Sequence, residues 1–248
     1  MIKKIAVLSL LLCSVQLVQA QEGIRLGVKG SYMSTWLFNN NISDAGDYLN
    51  YAPAYSGAFG VQAIYMFSDA YGISVDLNYA GQNSKYEDSE SQEYLTELKL
   101  RYIDLPVLFR ASSEKGPYFE IGPQFSFLAG AKESYTDKVD ASNSYSDKDF
   151  KDNFAGFGLS AVLGFGVDIK LTEMINLTTG LRFGYQFTDA TNEYTLDEAG
   201  AALANDQLSS VALASHFVEA NPLKAFDYTK SNRVFGGLQL GLQFNLAK

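Results

Sequence analysis

Five charged side chains share a setting that suggests a role. Lys29, Asp76, Arg101, Glu120 and Arg182 each fall on the small polar side of an alternating run, among residues such as glycine, serine and glutamine. If those runs close into a cylinder, the charges meet in one bore. An unpaired charge there is costly, so the five are expected to form an internal salt-bridge network that plugs it. A second constellation could do covalent chemistry: His216 is the single histidine, beside Ser215 and near Glu219, and Ser-His-acid catalysis is recognised by geometry rather than by order in the chain. A lone loop histidine is more simply polar surface, and no catalytic residue is assigned.

Two further patterns invite a cofactor or metal and then lose it. Asp147, Asp149 and Asp152 could face calcium, but the spacing lacks the glycine and distal glutamate of a binding loop. Gly156-Phe157-Gly158-Leu159-Ser160-Ala161 has the letters of a dinucleotide fingerprint. That fingerprint needs a following helix, and this stretch keeps a period of two. No cofactor and no metal are expected.

The elements that must position these residues are strands. Alternation is clearest from Pro117 to Ala131, where Phe119, Ile121, Pro123, Phe125, Phe127 and Ala129 share one side and Tyr118, Glu120, Gly122, Gln124, Ser126 and Gly130 the other. Comparable runs extend over Ile24–Tyr32, Tyr55–Phe67, Tyr71–Gln82, Tyr94–Arg110, Phe154–Lys170, Ile175–Phe187 and Asn232–Leu246, eight strands in all. Short connections at 68–70, 111–116 and 171–174 alternate with four longer polar ones, the pattern of periplasmic turns and extracellular loops. The strand from Tyr94 changes phase: Leu98, Leu100 and Tyr102 share a side, then Ile103, Leu105, Val107 and Phe109. A β-bulge at 102–104 would keep both sets facing outward, and Pro106 is tolerable beside one. The connection from Thr188 to Ser231 is too long for an empty loop, and short helices are expected within Leu196–Val218.

Volume decides which side faces out. Eight strands enclose a bore just wide enough for side chains to fill, far too narrow for the bulky set but suited to the glycine-rich one. The expected fold is therefore all-β: an eight-stranded antiparallel up-and-down transmembrane β-barrel in the outer membrane of a Gram-negative bacterium, with outer-membrane lipid around it. Aromatic residues gather towards strand ends, with Tyr32, Trp36, Tyr55, Tyr79, Phe127, Tyr185, Phe187 and Phe235 near one rim, as interfacial girdles do. Residues 1–20 read as a cleaved signal peptide, with Lys3 and Lys4, an apolar run and Val18-Gln19-Ala20 before Gln21. Residues 21–248 would then form one barrel domain without cysteine, since Cys13 leaves with the leader. Losing Lys3 and Lys4 takes the formal charge from −9 to −11, which disfavours nucleic acid as a partner.

The stretch Leu100-Arg101-Tyr102-Ile103-Asp104-Leu105-Pro106-Val107-Leu108-Phe109-Arg110, followed by Gly116-Pro117-Tyr118-Phe119-Glu120-Ile121-Gly122-Pro123, resembles the PorT-like family of small outer-membrane β-barrels. Val75-Asp76-Leu77-Asn78-Tyr79 and Gly164-Phe165-Gly166-Val167 agree with it. Asp104 stands where that family has glutamate, and the terminal Asn245-Leu246-Ala247-Lys248 departs from the pattern. The resemblance implies a barrel assembled by the barrel-assembly machinery, and an accessory role in a protein secretion and gliding apparatus. Three functions are thus in view: a non-enzymatic barrel that anchors, docks or recognises a protein partner through its extracellular loops or periplasmic turns; that secretion accessory; or a lipid-modifying or proteolytic barrel using His216.

Overall fold

The computed structural model describes residues 23–44, 50–88, 93–194, 198, 205, 207–215 and 228–246. The expected leader, His216 and Glu219 lie outside them. The strands are β1 (Ile24–Phe38), β2 (Asn50–Ala52), β3 (Tyr55–Met66), β4 (Tyr71–Glu87), β5 (Tyr94–Ser112), β6 (Pro117–Asp137), β7 (Tyr145–Asp149), β8 (Phe157–Lys170), β9 (Ile175–Gln186) and β10 (Asn232–Asn245). Five-residue helices α1 (Asn40–Asp44) and α2 (Ser210–Ala214) lie in the connections. α2 lies within the expected 196–218 region, and residue 198 there is also helical; most of that region lies outside the described residues.

Eight strands form a closed antiparallel ring in which β1 pairs with both β3 and β10, while β2 and β7 attach to β4 and β6 as flaps. Closure can be followed through the register. Met66 faces Gly72, then Arg110, Glu120, Gly164, Arg182, Gly237 and Met33 in turn, and the path returns to β3 at Ser56, ten residues from its start. That stagger tilts the strands, as any barrel requires. Turns at 67–70, 113–116 and 171–174 close one end, and Gly116 supplies the positive φ of +105° that the middle turn needs.

Outward positions along the turn-side half are bulky and exposed: Phe119, Ile121 and Phe127 on β6, Tyr71, Ile73, Val75, Leu77 and Tyr79 on β4, Ile103 and Phe109 on β5. Rings from neighbouring strands meet on this outer face, stacked in Tyr32–Tyr55 at 5.7 Å and tilted in Phe127–Phe157 at 5.6 Å. This surface faces lipid, because in water it would be one continuous apolar patch.

Four expectations need correction. The strands at the loop end are longer: β1 continues to Phe38, β4 to Glu87 and β6 to Asp137, so the barrel outgrows the bilayer. Strand β5 carries no bulge; it alternates without a break, and Leu98, Leu100 and Tyr102 point inward and are buried. The irregularity beside Arg101 and Tyr102 is on β6, where the register passes from Gly130 to Leu128 and leaves Ala129 extra. Arg101 therefore faces outward rather than into the bore. Phe235 leaves the girdle: it is buried inside, over Gly184, where an added Cβ would lie 2.1 Å from its ring.

The reason is an inversion along the same strands. Within the bilayer the outer face is apolar and the inner face mainly polar, with Met33, Leu108, Val162 and Phe235 as a small apolar cluster inside; beyond it the outer face carries Asn83, Lys85, Lys99, Arg101 and Lys132, while Leu37, Tyr86, Leu98, Leu100, Tyr102 and Leu128 fill the inside. Ile42 of α1, Val211 of α2, Phe150 and Phe154 complete that core from the loops. The phase change in β5 marks the bilayer boundary.

Candidate functional site

The lumen holds a continuous chain of buried ion pairs contributed by six strands. Asp76 on β4 accepts from both Lys29 on β1 and Arg182 Nη1 on β9, the latter at 2.6 Å. Arg182 Nη2 reaches Glu120 on β6 at 2.7 Å, and Glu120 takes Arg110 Nη1 of β5 at 2.6 Å. Arg110 Nη2 continues to Asp168 on β8 at 2.7 Å, and Arg25 joins Asp168 at 3.1 Å nearer the turn-side mouth. Arg110 and Glu120 are direct cross-strand partners and the other links join strands that are not neighbours, because alternation sends every second side chain inward and the facing strands offer glycine in return. An added Cβ at Gly164 would touch Glu120, and at Gly166 or Gly180 would stand 2.6 or 2.8 Å from the Tyr118 hydroxyl. Tyr118 supports the chain: the Arg110 guanidinium lies 3.8 Å over its ring, and its hydroxyl accepts from Gln239 Nε2 at 2.9 Å.

Of the five lumen residues read from the sequence, the structure brings four together: Lys29, Asp76, Glu120 and Arg182. Arg101 is not among them; it donates to Asn83 Oδ1 and to its neighbour's carbonyl on the outer wall. Arg25, Arg110 and Asp168 were missed, although each shares the inward parity of its strand. So was a second layer, in which Arg233 lies 3.8 Å over the Tyr102 ring and 3.5 Å from Asp104 and from Gln186 Oε1. Arg233 and Asp104 sit between the charge chain and the apolar core.

Above that core the loops are stitched into a cap. Buried Glu133 accepts the Ser209 hydroxyl at 2.5 Å, the Ser210 N–H and hydroxyl at 3.0 and 2.7 Å, and the Tyr145 hydroxyl at 2.6 Å. Asn39 donates to the Thr229 carbonyl and Asn41 to that of Ser215. Tyr228 hydrogen bonds Asp189, and burial followed by that acidic neighbour holds its phenol above the ordinary range. Ser215, the serine once paired with His216, is engaged with the Val211 carbonyl and the Ser231 hydroxyl. Asp147 faces Lys99 at 2.9 Å on the outer wall and Asp149 accepts the Lys151 N–H. Among the described residues, no three acidic, histidine or cysteine side chains lie close enough together to hold a metal ion.

The arrangement suits obstruction rather than passage. Four cations and three carboxylates occupy the lower bore, bound to one another, and a buried charge cannot leave its partner without a large desolvation cost.

Comparison with known families matches residues 19–192 to the model described as outer membrane protein beta-barrel domain. The chain belongs to that family, and its place is the outer membrane of a Gram-negative bacterium. Similar solved structures include Neisserial surface protein A, at 12% identity, covering 92% of this chain and 100% of that one with a TM-score of 0.44. The attachment invasion locus protein Ail of Yersinia pestis follows at 10% identity, 90% and 99% coverage and a TM-score of 0.37. OprG of Pseudomonas aeruginosa stands at 11%, with 92% and 98% coverage and a TM-score of 0.35. No curated protein matches the chain.

Proposed function

We propose that this outer-membrane barrel is a plugged, non-enzymatic scaffold that presents its stitched extracellular cap to a protein partner. The observation that carries the reading is double closure: ion pairs fill the lower bore and an apolar core seals the upper one. A cap tied to the strands by buried Glu133 has the fixed shape that loop recognition on a rigid scaffold requires. Within the family, we place the chain with the PorT-like barrels on its Tyr102-Ile103-Asp104-Leu105-Pro106 and Gly116-Pro117-Tyr118 stretches, and an accessory role in protein secretion is the corresponding alternative. Delivery by a leader ending at Ala20 and insertion by the barrel-assembly machinery complete the proposal.

Purified full-length protein in planar bilayers should give no steady conductance, and neither wild type nor His216→Ala should yield lipid A or peptide products. A stable ohmic channel would overturn the closed scaffold, and loss of turnover in His216→Ala would establish the enzyme in its place. Affinity capture from outer-membrane extract should return a partner lost when residues 207–215 are replaced by a glycine-serine linker. Recovery of secretion-machinery subunits would favour the accessory role.

A further inference from the structure

Cations on the outer wall are distributed differently from those inside. Arg25, Lys29, Arg110, Arg182 and Arg233 are each within reach of a carboxylate in the bore. On the outer wall Lys85, Lys99, Arg101 and Lys132 lie on three adjacent strands, β4, β5 and β6. Among the described residues, Lys99 alone of the four has an ion-pair partner, Asp147. Arg101 donates hydrogen bonds to neutral groups, and among the described residues Arg101, Lys85 and Lys132 make no ion pair. Lys99 and Lys132 are direct cross-strand partners, a placement of like charges that costs stability. The nearby acids offset the patch only in part: Asp147 pairs with Lys99 and its charge also acts on Lys132 and Arg101, while Asp149 stands across from Lys132 and Glu97 across from Lys85 without closing an ion pair, so three carboxylates face four cations. In a chain of formal charge −9, four cations gathered this way call for an anion from outside.

Their height identifies the anion. Arg101 is the next outward residue on β5 after Ile103, about 7 Å further along the strand. Tyr79 on β4, Ile103 and Phe127 on β6 are the exposed apolar residues just below. Beside the cations, a groove of about 350 Å³ runs between Tyr55, Asn83, Lys85, Glu97 and Lys99. An occupant that satisfies both levels must join an anionic group directly to hydrocarbon. We propose that this wall, on the extracellular side, binds the phosphorylated headgroup of an outer-leaflet glycolipid, with its acyl chains against the aromatic row. The site depends on the orientation of the barrel in the outer membrane, and not on whether the cap recognises a protein.

The test uses the full chain in detergent and native mass spectrometry with a bisphosphorylated, acylated glucosamine disaccharide as probe. Wild type should retain the lipid, and the Lys99→Gln/Arg101→Gln/Lys132→Gln variant should lose affinity on the order of 100-fold, since each cation near an anionic surface contributes. Dephosphorylated probe should bind as poorly to wild type as the phosphorylated one does to the variant, and equimolar inorganic phosphate should not displace the lipid. Lys115→Gln/Lys170→Gln on the periplasmic side should bind normally. Unchanged affinity in the triple variant, equal binding of dephosphorylated lipid, an equal loss in the periplasmic control, or displacement by inorganic phosphate would each overturn the site. Arg101→Gln alone supplies the same reading should the triple variant fail to show the heat-modifiable mobility of a folded barrel.

Discussion

The two halves of the bore are closed by opposite chemistry. Towards the periplasm Asp76, Arg182, Glu120 and Arg110 fill it with paired charge; towards the outside Leu37, Leu98, Leu100 and Tyr102 fill it with hydrocarbon. The difference follows from what lies on the other side of the same strand. Where lipid covers the outer face, bulky apolar groups are used there and the interior receives polar groups that must pair. Where water covers it, the strand reverts to the pattern of a soluble barrel and buries its apolar side. The inner wall is thus written by the solvent outside.

The largest expected effect breaks the charged half. Arg182→Met removes the one cation shared by Asp76 and Glu120, leaving Asp76 to Lys29 alone and Glu120 to Arg110 alone, and should cost about 3 kcal/mol in urea unfolding in lipid vesicles, the lower end for breaking a buried pair because each carboxylate keeps one cation. Pairing Arg182→Met with Glu120→Gln should recover part of that loss, because the pair is coupled. In the apolar half, Leu100→Ala removes a fully buried side chain and should cost about 2–3 kcal/mol, at the lower end because the loops above can settle into the gap. Its effect should add to that of Arg182→Met, since the layer of Arg233 and Asp104 separates them. Strong coupling between Leu100 and Arg182 would mean that the two halves are one unit.

The sequence carried the cylinder, its orientation and most of the charge chain, because alternation is local and the parity of Lys29, Asp76, Glu120 and Arg182 can be counted. Arg25, Arg110 and Asp168 obeyed the same count; they stood at strand ends, where a charge also suits a wet rim. Arg101 was misplaced for a different reason. An apolar phase change has two physical origins, an inserted residue or a change of solvent, and only the three-dimensional partners of Leu98 and Leu100 separate them. Residues of the cap such as Glu133 were not legible at all, since Ser209 and Ser210 reach it from a distant loop.

A smaller effect separates the cap from the core beneath it. Glu133→Gln keeps shape and loses charge where four donors converge, and should cost about 1–2 kcal/mol. The loss should be local: hydrogen exchange of the α2 amides should quicken while that of the β8 and β9 amides stays slow. Uniform acceleration would show that the cap and barrel open together.

The smallest effect lies in the outermost turn, where neither half of the bore is felt. Asp140 caps a single 3-10 turn at 141–143 by accepting the Ser142 hydroxyl at 2.7 Å and its N–H at 3.0 Å. Those bonds, the hydroxyl first, hold its carboxyl below the ordinary value of 3.8. A depressed folded pKa means that the unfolded turn takes up protons first. The bonds therefore support the turn above the unfolded value, and that support fades as pH falls through the folded one. Carboxyl-carbon NMR of the full barrel should show Asp140 titrating at lower pH than an unstructured aspartate, with the Ser142 amide shifting at the same midpoint. In Asp140→Asn the Ser142 amide should stop responding to pH, while its unfolding midpoint stays within error of wild type. A change in that midpoint would mean that the turn helps hold the cap, and the boundary between rigid scaffold and free rim would have to be drawn further out.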